Sequence, residues 1–193
     1  MSNQPVQIYI ESNPNPNTMK FVADCMVFPE GLIFDFPDVE STATSPFARE
    51  LYKFPYVESV FFMNNFITIS KMENVEWEEI KRELKDFIAD YIDNKKPLFD
   101  EDVKKEKPSS HPTEEDPELV KKIKNVLEEY VKPAVEMDGG AIVFDSFQDG
   151  TVKVLLQGSC SGCPSSTITL KAGIENLLTT MIPEVTSVEA TGE

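Results

Sequence analysis

The sequence predicts an α+β protein built as two small domains on an acidic tether. Three observations predict it. A length of 193 residues suits one or two domains. The block from 99 to 118 carries a net charge of −5 and includes Pro108, Pro112 and Pro117, the composition of a linker. On either side of it, short runs of β-branched and aromatic residues accompany segments with a 3.6-residue apolar period. The expected boundaries are a first domain at 1–98, a flexible linker at 99–116 and a second domain at 117–193. A flexible tether of ~20 residues would span roughly 25 Å.

In the first domain, residues 6–11 alternate as a strand does. The run Ser12-Asn13-Pro14-Asn15-Pro16-Asn17 is a dense turn signal. Residues 19–28 read as the returning strand of a hairpin, with Cys25 as a small apolar residue buried within it. Ser45 followed by Pro46 is an N-cap before a proline at the first helical position, opening a short helix to about Tyr52. Residues 57–63 and 66–71 are two strands joined across Asn64-Asn65. A helix is expected over 74–93, with Trp77, Ile80, Leu84, Phe87, Ile88 and Tyr91 on one face. Phe61, Phe62 and Phe66 read mainly as core, although along a strand they cannot all face the same way.

The second domain opens after Pro117 with a helix whose stripe is Leu119, Ile123, Val126, Leu127, Tyr130 and Val131. Pro133 should kink or restart it. Gly139-Gly140 should stop it. Strands over 141–147 and 151–157 flank Asp149-Gly150, the strongest short hairpin signal. A helix is expected over 164–182, burying Ile168, Leu170, Ile174, Leu177, Leu178 and Met181. A last short strand is expected over 185–189. The resulting order is α-β-β-α-β, with helices on one face of a small sheet.

The net charge of −16 argues against phosphate-driven nucleic-acid binding and against anionic membrane surfaces. No apolar run approaches the ~20 residues that span a bilayer. The first five residues show no export signal, and the first 48 contain one Lys and no Arg, unlike a transit peptide. A cytoplasmic location with reduced thiols is therefore expected. The chain has three Cys and one His, and His111 falls in the linker, where it reads as a solvated residue. No Ser–His–Asp or Cys–His arrangement can be built from it, and there is no phosphate-cradling Gly-rich loop.

Cys160 and Cys163 are the remaining candidates for chemistry. Their Cys-x-x-Cys spacing lies between a strand and a helix, and Pro164 fits the first helical position. Cys163 is then the N-cap, so free amides and the positive end of the helix dipole should favour thiolates. Three readings compete: a dithiol oxidoreductase, half of a metal site, and a structural pair. The redox reading expects a thioredoxin-like βαβ context, whereas here a hairpin precedes the motif. Zinc and iron–sulfur sites take four protein ligands, and one chain offers two clustered Cys. A metal site would therefore be shared by two chains, exposed and easily dismantled.

Specific residues add a family resemblance. Asp138-Gly139-Gly140, then residues 157–167, Leu170-Lys171, Gly173-Ile174-Glu175 and residues 182–185 resemble the C-terminal domain of NifU, as found in Nfu iron–sulfur scaffold proteins. Residues 15–21, 45–51 and 66–71 resemble the N-terminal domain of the same family. The resemblance implies a scaffold or carrier that binds a [4Fe–4S] cluster, with [2Fe–2S] as the other possibility, through Cys160 and Cys163 of each subunit of a homodimer. It further implies delivery to apo iron–sulfur clients and exchange with upstream assembly proteins. Departures from the family pattern are Lys132, Ala141 and the absence of Gly in the turn at Asn64-Asn65, none at a ligand position. The alternatives outside the resemblance are the dithiol–disulfide oxidoreductase and a zinc-bridged interaction module.

Overall fold

The computed structural model describes residues 5–100, 112–161 and 164–192. The chain divides into two compact units, with the division between residues 107 and 108. Both are α+β.

The first unit is a five-stranded antiparallel sheet in the order β1-β2-β5-β4-β3. Its strands are β1 (Ile8–Ser12), β2 (Thr18–Ala23), β3 (Ile33–Phe36), β4 (Val57–Met63) and β5 (Phe66–Lys71). Two helices, α1 (Pro46–Leu51) and α2 (Trp77–Asp93), complete it. The second strand was expected to run to Phe28 but ends at Ala23. Beyond that point its neighbour turns back at Asn64-Asn65, whose carbonyls accept from the N–H groups of Ala23, Val27 and Phe28. With no strand left to pair, the chain leaves the sheet, and Cys25 is exposed rather than buried in a strand.

The short strand β3 and a 3-10 helix at Glu40–Thr44 were not foreseen. Four or five residues are too few for a period to register. The N-cap expectation for α1 holds: Ser45 Oγ accepts from Ala48 N–H at 3.1 Å and donates to the Leu98 carbonyl at 2.7 Å. Helix α2 starts at Trp77, three residues later than expected, and buries Ile80, Leu84, Ile88 and Tyr91. The indole N–H of Trp77 donates to the Pro16 carbonyl and so fixes the Asn-Pro loop.

Phe61, Phe62 and Phe66 are all buried, as their reading as core expects. Phe62 stacks on Phe28 and Phe47 with ring centroids 4.9 and 5.1 Å apart. Phe99 packs on Phe34, and Asp100 pairs with Arg49, which continues the first unit through residue 100. Most of the expected linker, including His111, lies outside the described residues.

The second unit begins with α3 (Glu118–Val126) and ends its first helical segment with α4 (Lys132–Met137). One π-helical turn, Leu127–Val131, joins them. Pro133 explains that join. It has no N–H to offer the preceding turn, so the hydrogen-bond register must loosen there and restart. Lys124 is buried, pairs with Asp116 at 2.9 Å and lies over the Phe144 ring.

Strands β6 (Gly140–Gln148) and β7 (Thr151–Gly158) form the expected hairpin. Its turn residues Asp149 and Gly150 have φ of 51° and 83°, the left-handed pair that a type I′ turn needs. Helix α5 (Pro164–Met181) then leads to β8 (Ser187–Gly192). That strand pairs parallel to β7, giving the order β6-β7-β8.

Val152, Val154 and Leu156 of β7 face one way into the core, with the helices on that side. Three residues expected in this core are instead exposed: Tyr130 at 51 %, Ile168 at 69 % and Met181 at 46 %. A three-stranded sheet covers only a narrow stripe of each helix. On α5 that stripe is Ile174 and Leu178, flanked by the half-buried Leu170 and Leu177.

Candidate functional site

The Cys-x-x-Cys segment occupies the loop between the end of β7 and the start of α5. Gly158, with φ of 67°, turns the chain out of the strand. Ser161 closes the turn, its N–H and its hydroxyl both donating to the Gly158 carbonyl. Ser159 ties the loop to the segment that precedes β6. Its hydroxyl donates to the Asp138 carbonyl, and its N–H donates to the Gly139 carbonyl at 3.4 Å. Cys160 sits between these two anchored serines. Cys163 and Gly162 lie outside the described residues, and α5 begins directly after them at Pro164.

The placement of Cys160 corrects an expectation. Its side chain is not displayed on the loop: the residue is 7 % exposed and belongs to the core cluster of the unit. Burial pushes its thiol above the ordinary value, a hydrogen bond with Ser159 pulls it back, and the charge of Asp138 raises it further. Desolvation disfavours the charged form, and here it outweighs the hydrogen bond. In this conformation Cys160 is a sheltered thiol rather than the exposed thiolate expected at a helix start. It also takes part in core packing.

Gly140 makes that shelter possible. It faces Gly158 across the β6–β7 ladder. A Cβ added to Gly140 would come within 2.6 Å of the Gln157 carbonyl oxygen and 2.9 Å of Cys160 Sγ. Both distances are shorter than packed atoms tolerate. The double glycine reads in the sequence as a helix stop. Gly139 fits that role with φ of 82°, while the contact between Gly140 and the sulfur has no local signal.

A second expectation also changes. A hairpin does precede the motif, but β7, α5 and β8 form a parallel strand–helix–strand unit with the motif at its first turn. The topology used to disfavour redox chemistry therefore does not disfavour it.

Cys25 is remote in sequence and lies in the other unit. Its thiol is raised by partial burial and by the charges of Asp24 and Asp93. Among the described residues, no group of three or more His, Cys, Asp and Glu could hold a metal ion. Among them, too, no helix is long and apolar enough to cross a membrane.

The structure is thus a two-unit α+β protein whose second unit carries Cys160 in the turn between β7 and α5. Comparison with known proteins agrees. The family model described as "Scaffold protein Nfu/NifU N terminal" matches residues 8–95, and the one described as "NifU-like domain" matches residues 123–189. The chain belongs to the Nfu/NifU-like scaffold family.

It is 42% identical over 189 residues to the "NFU1 iron-sulfur cluster scaffold homolog, mitochondrial" of Drosophila willistoni, covering 98% of this chain and 65% of that protein. Identity to the protein of the same name from Drosophila grimshawi is 42% over 182 residues, 94% of this chain and 60% of that one. The chain thus spans somewhat under two thirds of the length of these curated relatives. A solved NifU-like protein from Saccharomyces cerevisiae is similar at 23% identity with a TM-score of 0.44, over 53% of this chain and 92% of that one.

The relatives' names overturn the cytoplasmic expectation, since they are mitochondrial proteins. Targeting segments are removed after import, so the composition of a working domain carries no mark of its compartment.

Proposed function

We propose that the chain is an iron–sulfur cluster scaffold and carrier, working in the mitochondrion as its named relatives do. The observation that carries this reading is 42% identity, over almost the whole chain, to proteins named as iron–sulfur cluster scaffolds. The donor chemistry suits it. Cys160 and Cys163 are soft sulfur ligands, and an iron–sulfur cluster is held by four of them. One chain supplies two, so the cargo is a [4Fe–4S] cluster bridging a homodimer, with [2Fe–2S] as the smaller alternative.

The cluster leaves when thiolates of an apo-protein client replace those of the carrier. Upstream assembly proteins supply it. In this reading the chain is a carrier rather than an enzyme. The first unit holds the client while the second delivers, and the tether raises the effective concentration of one at the other. Removing residues 1–98 then slows transfer to some clients, and undiminished transfer to every client tested would sink that part.

The deciding experiment is anaerobic reconstitution with iron and sulfide, read by metal and sulfide analysis, absorption spectra and gel filtration. About four irons and four sulfides per dimer support the reading, provided the dimer dissociates on chelation. A monomer that takes no iron but cycles a Cys160–Cys163 disulfide would replace it with the oxidoreductase. A colourless zinc-loaded dimer would replace it with the interaction module.

A further inference from the structure

Cys160 presents a difficulty for any cargo-binding role. A residue that is 7 % exposed and packed into the core does not present its sulfur to an iron atom where it stands. Three features put it there. Gly140 and Gly158 face each other at the end of the β6–β7 ladder, so this end of the sheet presents no side chain to the sulfur. An added Cβ at Gly140 would lie 2.9 Å from Cys160 Sγ and 3.3 Å from its Cβ, so only glycine leaves this space free. Ser159, with its two hydrogen bonds to the Asp138 and Gly139 carbonyls, pins the loop against the strand that carries Gly140. Its Oγ also lies 3.8 Å from Cys160 Sγ.

We propose that Gly140 and Ser159 are positioning residues that form a seat for the Cys160 sulfur in the cargo-free chain. The seat withdraws one of the two motif thiols from solvent until cargo arrives. That last clause rests on the cluster-carrier reading, whereas the seat itself does not. Loading requires the sulfur to leave. The backbone on both sides of Cys160 is held through Ser159 and Ser161, so rotation of the side chain is the movement that breaks none of those bonds. The seat shields a soft, oxidisable ligand from stray metal and oxidant, since thiol reactivity follows exposure.

The test is alkylation of the full-length, iron-free, reduced chain with N-ethylmaleimide, each Cys being followed by tandem mass spectrometry. Each rate is divided by the rate of the same residue in denaturant. Cys160 is expected to be slowed at least ~10-fold and the exposed Cys25 less than ~3-fold, as local opening governs reaction of a buried group. Gly140→Ala expels the sulfur and speeds Cys160 alkylation at least ~5-fold. Gly173→Ala is the control, because an added Cβ there meets nothing within 4 Å.

Cluster uptake in Gly140→Ala should also begin faster. A folded Gly140→Ala chain whose Cys160 rate matches that of Gly173→Ala overturns the proposal. If Gly140→Ala does not fold, the wild-type ratio and Ser159→Ala decide. An unprotected wild-type Cys160 refutes the seat, and an unchanged rate in Ser159→Ala refutes its serine half. Iron uptake by a chain with an unprotected Cys160 would sink the seat alone. A protected Cys160 in a chain that takes no iron would sink the carrier reading alone.

Discussion

The two units share a fold class and differ in what fills them. The core of the first is crowded with rings: Phe21, Phe28, Phe36, Phe47, Phe62 and Tyr91 are buried together. The core of the second is aliphatic, with Phe144 as the one buried ring among its described residues and Cys160 packed within it. Large rings bring buried area and directional packing but leave no room for adjustment. In the second unit the paired glycines Gly140 and Gly158 leave a space that the Cys160 side chain fills. The first unit is thus filled by interlocking rings, and the second packs a thiol against the backbone of its hairpin.

The largest effects should come from the two cores, and they should be separable. Phe62→Ala should cost the first unit ~3–5 kcal/mol, and Leu178→Ala should cost the second ~2–5 kcal/mol. The only Trp, Trp77, lies in the first unit, so its fluorescence reports that unit while circular dichroism reports both. Denaturant unfolding should show each substitution shifting one transition and sparing the other. A single shared shift would show that the units unfold as one body.

Turns and caps come next. Gly150→Ala places a side chain at φ of 83° and a Cβ 2.6 Å from Thr186 Oγ1, so the second unit should lose ~1–2 kcal/mol. In the first unit, Ser45→Ala removes both a cap to Ala48 N–H and a bond to the Leu98 carbonyl, for ~1–2 kcal/mol. Melting curves of the two variants test these values. A neutral Ser45→Ala would mean that water satisfies both freed groups.

The smallest effect separates the units by pH. The Asp116 carboxyl is held below the usual range, first by the hydrogen bond from Lys124 and then by Thr113 N–H. Because the folded carboxyl titrates lower than the unfolded one, this pair stabilises the second unit above about pH 4 and ceases to do so as the pH falls through the folded value. Acid titration of unfolding midpoints should therefore show a loss in the second unit that Asp116→Asn reduces. An unaltered acid slope in that variant would assign the loss to other carboxylates.

Where local chemistry decides, the sequence was legible. Ser45-Pro46 capped a helix, Asp149-Gly150 closed a hairpin, and the 3.6-residue period of 77–91 marked the buried face of α2. Where a partner decides, it was not. The end of β2 depends on where β4 and β5 turn, and that turn is distant in the chain. Tyr130, Ile168 and Met181 fit an apolar stripe by spacing, yet no part of the small sheet reaches them.

The family was readable from the sequence by itself, because its motifs are short runs of residue type and spacing that need no reference to the rest of the fold. So were the two-domain α+β plan and the order of most elements, since periodicity and turn residues act over a few positions. Tertiary structure alone decided that β8 lies parallel to β7 and that the Cys160 sulfur is sheltered behind Gly140 and Ser159. Both depend on contacts between residues far apart in the chain, whose burial and desolvation outweigh the local preference of a helix start for an exposed thiolate.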